Sequence, residues 1–383
     1  MGNIWKTYLS FVNKSTIHRS ELVSIQWMRG IAVMMVFVYH LEDILNLLPG
    51  FESHHSFWKN YGYSAPDLFF VISGYIMCFV TFELRFKPVD WLVRRFLRIY
   101  PIFWVFASVS VVAWLYDPSL TMGSDAQNWL SVTKFLLLFP QQDTPLLFVA
   151  WTLEHEIVFY SLVFLVAALG GKSRTLVIVV GALTLLGVLK AAFQETFPAL
   201  GFWDYHIFSL YMMQFFMGAL IFEFRAHIEK TGVKKPLIAG LIVFALSGIF
   251  TKPMPLDEEH ISKVFMFGLS HSLFLIAAIN WELARRKKIG GFIEYKRRPF
   301  LVQMGDASYS IYLAHPFCLS ICGKVLIATG LTGVYALFAL FMGGIISLFV
   351  GWSSYHLLEK PGMHLSKYIL SKNKKPKEVP AST

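Results

Sequence analysis

The sequence predicts an all-α, polytopic membrane protein of about ten transmembrane helices, with its N- and C-termini in the cytoplasm. Three observations carry that prediction. Of 383 residues, 56% are hydrophobic and only 15% are charged, too apolar a composition for a water-soluble chain of this length. Ten apolar stretches follow one another, at about 24–47, 65–84, 99–116, 146–168, 174–193, 206–224, 236–252, 263–283, 307–328 and 333–356. Each is close to or above the ~18 residues that cross roughly 30 Å of hydrocarbon as a helix. The basic residues also divide unevenly. With the N-terminus inside, 27 of the 34 lysines and arginines fall in cytoplasmic segments, four (Lys59, Lys134, Lys252, Lys263) in outer loops and three (Arg29, Lys190, Lys324) within spans, as expected when translocating a cation is disfavoured.

Taken in order, residues 1–21 are polar and of mixed charge, without an apolar core or a small-residue cleavage site. They read as a cytoplasmic segment, with the first span as the insertion signal. The start "MGNIWK" lacks the hydroxyl residue at position six of a myristoylation site. Residues 22–361 read as one membrane domain without internal repeat. Within it "FLLLFP", 135–140, is too short to span and ends in proline, which predicts a re-entrant or interfacial piece. Residues 362–383, ending "SKNKKPKEVPAST", read as a solvated basic cytoplasmic tail. The three cysteines, Cys78, Cys318 and Cys322, all lie in apolar stretches, which argues against a disulfide framework and against a metal site. Because the cations sit at loop ends, the net charge of +10 and the pI of 9.3 are topology signals that can also touch anionic lipid, and they give no reason to invoke nucleic acid.

Chemistry is legible where a costly residue is tolerated at membrane depth. In "RGIAVMMVFVYH", 29–40, Arg29 and His40 are eleven residues apart, about three turns plus ~20°. They share a face and are separated by ~16 Å along the axis. Arg29 could anchor topology and His40 could hydrogen-bond a neighbouring helix, but the shared face must look into protein or water. In "VAWTLEHEIVFYSLVF", 149–164, Glu154 and Glu156 point ~200° apart, so at most one can share a narrow cavity with His40; an outer vestibule could solvate either. In "RRFLRIYPIFW", 94–104, Arg95 and Arg98 lie on one face. Such a pair suits bidentate phosphate binding, although positive-inside topology also places arginines there. "MGDASYSIYLAHP", 304–316, is a dense polar run with Asp306, Ser308, Tyr312 and His315; capping would account for Asp306 and Ser308. "DLFFVISGY", 67–75, puts Ser73 and Gly74 in the second span, where small residues permit close packing. The outer loops at 48–64, 117–145, 194–206 and 252–262 carry Phe57, Trp58, Tyr61, Trp129, Phe202, Trp203 and Tyr205. These could stack on sugar rings or form an interfacial belt.

Arginine, ten residues and histidine in the first span, then "FFVISGY", "RRFLRIYP", "WTLEHEIVFY", "GDASYSIYLAH" and a final "EKP" at 359–361, in that order, resemble the acyltransferase-3 family of integral membrane acyltransferases. "FLLLFP" and "WTLEHEIVFY" are most similar to its exopolysaccharide O-acetyltransferase branch, the ExoZ-like members. The resemblance runs from about residue 22 to about residue 361. It implies ten core spans in a bacterial inner membrane that carry an acyl group from cytoplasmic acetyl-CoA, as substrate with no resident cofactor, to a hydroxyl of an outer glycan such as exopolysaccharide, lipopolysaccharide O-antigen or a lipid-linked precursor.

Carried over residue by residue, the motif arginine and histidine fall on Arg29 and His40, the cytoplasmic arginine pair on Arg95 and Arg98, and the motif glutamate on Glu156. Many relatives have a second acidic residue immediately after that glutamate, where this chain has Ile157, so no role passes to Glu154. The expected catalytic set is therefore His40, Glu156 and Arg29. His40 would be base or acyl carrier, and Glu156 would orient or charge-balance it. The expected donor-binding set is Arg95, Arg98 and Arg29 with Ser73 and Tyr312, the last two as candidate oxyanion donors. A transporter or flippase would also need polar groups at the midplane, but it predicts a symmetric pair of interrupted spans, which the sequence lacks.

Overall fold

The computed structural model describes residues 22–51, 59–84, 86–118, 128–193, 197–251, 260–293 and 295–372. Among these residues 82% are helical and none forms a strand, as a chain in hydrocarbon requires when every backbone polar group must be paired within its own segment. The expected segment 1–21, most of the basic tail, and Phe57, Trp58 and Lys252 lie outside the described residues.

The helices are α1 (Val23–Leu45), α2 (Lys59–Glu83), α3 (Pro88–Tyr116), α4 (Trp129–Leu137), α5 (Phe148–Ala168), α6 (Ser173–Ala192), α7 (Phe202–His206), α8 (Met212–Glu223), α9 (Arg225–Thr231), α10 (Lys234–Phe250), α11 (Ile261–Ile289), α12 (Phe300–Asp306), α13 (Ser308–Thr329) and α14 (Gly333–Leu370). Local chemistry accounts for several of their ends. Pro88 starts α3, where its missing N–H costs nothing. The Asn128 side chain caps α4, accepting from Ser131 N at 3.0 Å. Gly290 and Gly330 close α11 and α13 in the left-handed conformation.

A helix lies on each of the ten predicted apolar stretches. Among the described residues seven helices are long and apolar enough to cross a membrane, or eight if α9 and α10, bent by 91°, count as one span. The protein is thus a multi-pass membrane protein. Of the other two stretches, α1 has its apolar run diluted by Ser24, Gln26, Arg29 and His40. Helix α8 has only 12 residues, because turns at 207–211 separate it from α7. Hydropathy marks where lipid stops rather than where a helix stops. Helix α2 accordingly begins at Lys59 inside the expected outer loop, α3 begins at Pro88 rather than near 99, and helix continues to Lys372 beyond the expected boundary at 361. The "FLLLFP" stretch ends the nine-residue α4, ~13 Å long and too short to cross. Its closing Leu138 has φ 50° and is fully buried.

Helix α1 sits at the centre, packed against α2, α11, α12, α13 and α14. Two glycine contacts set the closest approaches. Gly305 of α12 lies against the backbone of α1, where a Cβ would collide with the Gln26 carbonyl, and Gly30 of α1 lies against the Leu301 carbonyl in the same way. Gly74 and Gly218 do the same between α2 and α8, so the expected packing role of Gly74 holds. Glycine here lets two helices meet without a side chain between them. Gly305→Leu or Gly218→Leu forces these helices apart, at a cost of about 1–3 kcal/mol or more. Each should lower the amount of monodisperse protein extracted from membranes, measured by fluorescence-detected size exclusion beside an exposed control such as Gly232→Asn.

Candidate functional site

At one end of the fold a cleft of about 940 Å³ opens between α1, α2, α3, α12 and α14. Eight arginines and lysines line it, namely Arg29, Lys87, Arg94, Arg95, Arg98, Arg297, Arg298 and Lys360, against three carboxylates, Asp90, Asp306 and Glu359. Two irregular turns border it. Phe79–Glu83 closes α2 and Tyr355–Glu359 interrupts α14, both as π-helix, a form that often marks functional sites because it inserts an extra residue and re-aims side chains. Such an excess of cations beside lipid suits a ligand bearing several negative charges.

A smaller cavity of about 100 Å³ continues from this cleft, sharing Arg29, Ile76, Arg95 and Arg98 with it. Its walls include Phe69, Ser73, Thr152, Glu156, Tyr160, Ser308, Tyr309 and Tyr312. Six of the seven residues expected at the site (Arg29, Ser73, Arg95, Arg98, Glu156 and Tyr312) therefore line one cavity. Arg29 donates to Ser308 Oγ from Nε at 3.1 Å and from Nη2 at 2.9 Å. Arg95 lies beside the rings of Trp91 and Tyr160, at 5.8 and 5.9 Å from their centroids, and the Arg95 Nε is buried without a partner. Neither Arg95 nor Arg98 joins an ion pair among the described residues, which leaves both guanidiniums available to an anion.

His40 does not line that cavity. Its ring stacks on His315 with centroids 5.2 Å apart and meets Phe148 edge-on at 5.2 Å, and its Nδ1 is 3.2 Å from Asp43 Oδ2. His315 is fully buried and lies 5.8 Å from Tyr312. Its Nδ1 faces the Ile311 carbonyl at 3.3 Å, while Nε2 has no protein partner. The next residue, Pro316, lies inside α13 and cannot donate to the Tyr312 carbonyl, so the helix is loosened beside the cavity. Tyr312 and His315 thus carry the line of polar groups from the cavity to His40.

Several expected details differ. Glu156 accepts from Ser73 Oγ at 2.8 Å and from the Tyr160 hydroxyl rather than touching His40; it sits toward the arginines, and Asp43 takes the histidine. Tyr312 is not a free oxyanion donor, since its hydroxyl is engaged with Thr152 Oγ1 at 2.9 Å and the Val149 carbonyl at 3.1 Å, and Ser73 is occupied by Glu156. Capping does not describe Asp306 and Ser308. Asp306 pairs with Arg298, and Ser308 holds Arg29. Glu154 is not solvated. It is fully buried, accepting from Gln141 Nε2 at 3.2 Å and meeting His206 Nε2 at 3.0 Å, because lipid-depth charge needs a partner once no water reaches it. As expected, Glu154 and Glu156 face opposite ways. Sequence reasoning did not single out Asp43, Lys59 or Glu359. Asp43 stands one turn after His40, and Glu359, part of the quoted "EKP", accepts from Ser310 Oγ at 2.6 Å at the edge of the basic cleft.

These features define an integral membrane protein with a cation-lined cleft at one end of its helical domain, and the sequence comparisons give the class. Residues 22–356 match the Acyl_transf_3 acyltransferase domain, and the chain belongs to this acyltransferase-3 family. It is 29% identical over 318 residues to the exopolysaccharide production protein ExoZ of Rhizobium meliloti, covering 78% of this chain and 89% of ExoZ. It is 22% identical over 376 residues to BcsY of Komagataeibacter xylinus, named as a membrane-bound transacylase, covering 94% and 86% of the two chains. No solved structure matches.

The buried Glu154–His206 pair ties α5 to α7, outside the cavity. Glu154→Ala removes one partner of a buried pair, which typically costs about 3–5 kcal/mol. The apparent melting temperature of the detergent-purified variant should fall, while Glu154→Gln, which keeps an acceptor for Gln141, falls less.

Proposed function

We propose that this acyltransferase moves an acetyl group from cytoplasmic acetyl-CoA to a hydroxyl of a surface glycan on the far side of a bacterial inner membrane. The observation that carries this reading is the continuity of the two cavities. The basic cleft and the narrow cavity share Arg29, Arg95 and Arg98, and the narrow one ends at Tyr312, next to the stacked His315 and His40. The orientation follows the basic residues: ten spans, both termini in the cytoplasm, and the cleft facing it.

Arg95, Arg98 and the neighbouring cations bind the phosphates of the donor, where several guanidiniums offset charge that lipid cannot solvate. The pantetheine arm runs from the cleft into the narrow cavity toward Tyr312, so the thioester approaches the histidine pair from that side while the nucleotide stays in the cleft. His40 then takes the proton of the attacking sugar hydroxyl, or takes the acetyl group and passes it on. Glu156, with Ser73 and Tyr160, faces Arg29 and Arg95 across the cavity and shapes the donor path. The name of ExoZ favours an exopolysaccharide acceptor.

O-acetyl content of the host's surface glycans tests this reading. In a strain whose own gene carries His40→Ala, acetylation should be lost at normal membrane abundance of the protein. Unchanged acetylation would make His40 structural and end the reading. Arg98→Ala should leave His40 chemistry intact but raise the acetyl-CoA concentration for half-maximal transfer by about tenfold or more, the loss of one charge-assisted contact of ~1.5–3 kcal/mol.

A further inference from the structure

We infer that Asp43, clamped by Lys59, is a positioning residue that fixes the ring of His40 with its basic nitrogen free. The inference rests on the reading of His40 given above and adds to it a residue that neither the family motifs nor the comparisons assign.

The argument begins with the two nitrogens of one imidazole. His40 Nδ1 lies 3.2 Å from Asp43 Oδ2. A carboxylate only accepts, so Nδ1 carries the hydrogen and the lone pair resides on Nε2. Asp43 stands three residues after His40 on α1, so the two side chains share a helix face and meet without any rearrangement of neighbouring helices. The other carboxylate oxygen, Oδ1, is held by Lys59 Nζ at the start of α2, and that ammonium rests on the Tyr39 ring, 4.4 Å from its centroid. Each oxygen of Asp43 thus has one partner, and the carboxylate cannot rotate away from the histidine without losing both.

Rings complete the mounting: His315 stacks on one face of His40, while Tyr39 and Phe148 meet it edge-on with centroids 5.0 and 5.2 Å away. His40 is therefore fixed in both tilt and tautomer. The blander account, a surface ion pair between Asp43 and Lys59, explains little here. Exposed pairs contribute almost nothing to stability, and Asp43 at 43% exposure would be free to turn to water instead of to the ring.

In the reaction the sugar oxygen bonds to the thioester carbonyl carbon, its proton passes to Nε2, and the carbon–sulfur bond breaks. The imidazolium so formed is stabilised by the adjacent Asp43 carboxylate and returns its proton to the departing thiolate, giving the ester and free thiol. If the acetyl group is carried on His40 instead, the Nε2 lone pair bonds to the carbonyl carbon as the carbon–sulfur bond breaks and the thiolate leaves; the sugar oxygen then displaces Nε2, and its proton ends on the thiolate as free thiol. Both routes need Nδ1 protonated and oriented, which is what Asp43 provides.

Inverted membrane vesicles from the host, with cytoplasmic face outward and their own glycan inside, report both rate and donor binding when radiolabelled acetyl-CoA is titrated and label in the glycan is counted per unit of immunodetected protein. Asp43→Asn is expected to reduce the maximal rate by ~10- to 100-fold, a part of the ~10²–10⁴ that a positioned acid–base group supplies. The acetyl-CoA concentration at half-saturation should stay unchanged, and Asp43→Glu should recover part of the rate. A merely structural Asp43 would instead lower abundance or shift half-saturation, with no recovery by Glu, and that result overturns the inference. So does a wild-type rate in Asp43→Asn beside an inactive His40→Ala, an outcome that leaves the reading of His40 standing. An active His40→Ala removes the reading and the inference together.

Discussion

Arg29 cannot be solvated by hydrocarbon, and the arrangement of the core answers that constraint. A guanidinium nearly two turns inside the first apolar helix must look into protein or water, and here it does both. Ser308 takes two of its hydrogen bonds, and the remaining surface opens into the basic cleft. To bring Ser308 within reach, α12 must press against α1, and Gly30 and Gly305 allow that approach. Once α1 is held there, His40 is carried to the opposite end of the same face, against α13.

The cost of desolvation also shapes the polar groups of the core. Away from the cavity several charged groups are paired across helices. Glu154 has Gln141 and His206, Ser24 donates to Glu282 at 2.7 Å from both its backbone and hydroxyl, and Lys263 lies 3.8 Å from Asp67 and donates to the Tyr211 hydroxyl at 3.1 Å. These tie helices together where lipid would otherwise meet charge. Along the cavity Arg95 and Arg98 join no ion pair among the described residues, and His315 Nε2 has no partner. Buried polar atoms left open are costly, and Arg95 Nε and His315 Nε2 are two such atoms on the line from the cleft to His40.

Stacking of His315 on His40 gives that path an end. A proline after His315 weakens the helix there, and the ring of Tyr312 fills the step between the narrow cavity and the histidine pair. The resulting line of groups is continuous from an arginine-rich mouth to a histidine whose far side approaches the half-exposed Asp43.

By itself the sequence determined the membrane class, the positions of the apolar helices, the shared face of Arg29 and His40, the opposition of Glu154 and Glu156, and the membership of Arg95 and Arg98 in a cationic cluster. All of these follow from periods and compositions within a single segment, which helical geometry and the cost of charge in lipid translate directly into structure. Only the tertiary structure decided which helix answers which. Glu156 faces Ser73 and Tyr160 rather than His40, Ser308 holds Arg29 rather than capping a helix, Glu154 finds His206 fifty-two residues away, and Asp43 reaches both His40 and Lys59. Those choices depend on how closely the helices approach and on their rotation about their axes, set by contacts such as Gly30 with Leu301 and Gly74 with Phe215. No pattern inside one helix records the position of another, because packing between spans in lipid is governed by shape and by a few polar pairs rather than by a periodic hydrophobic signal.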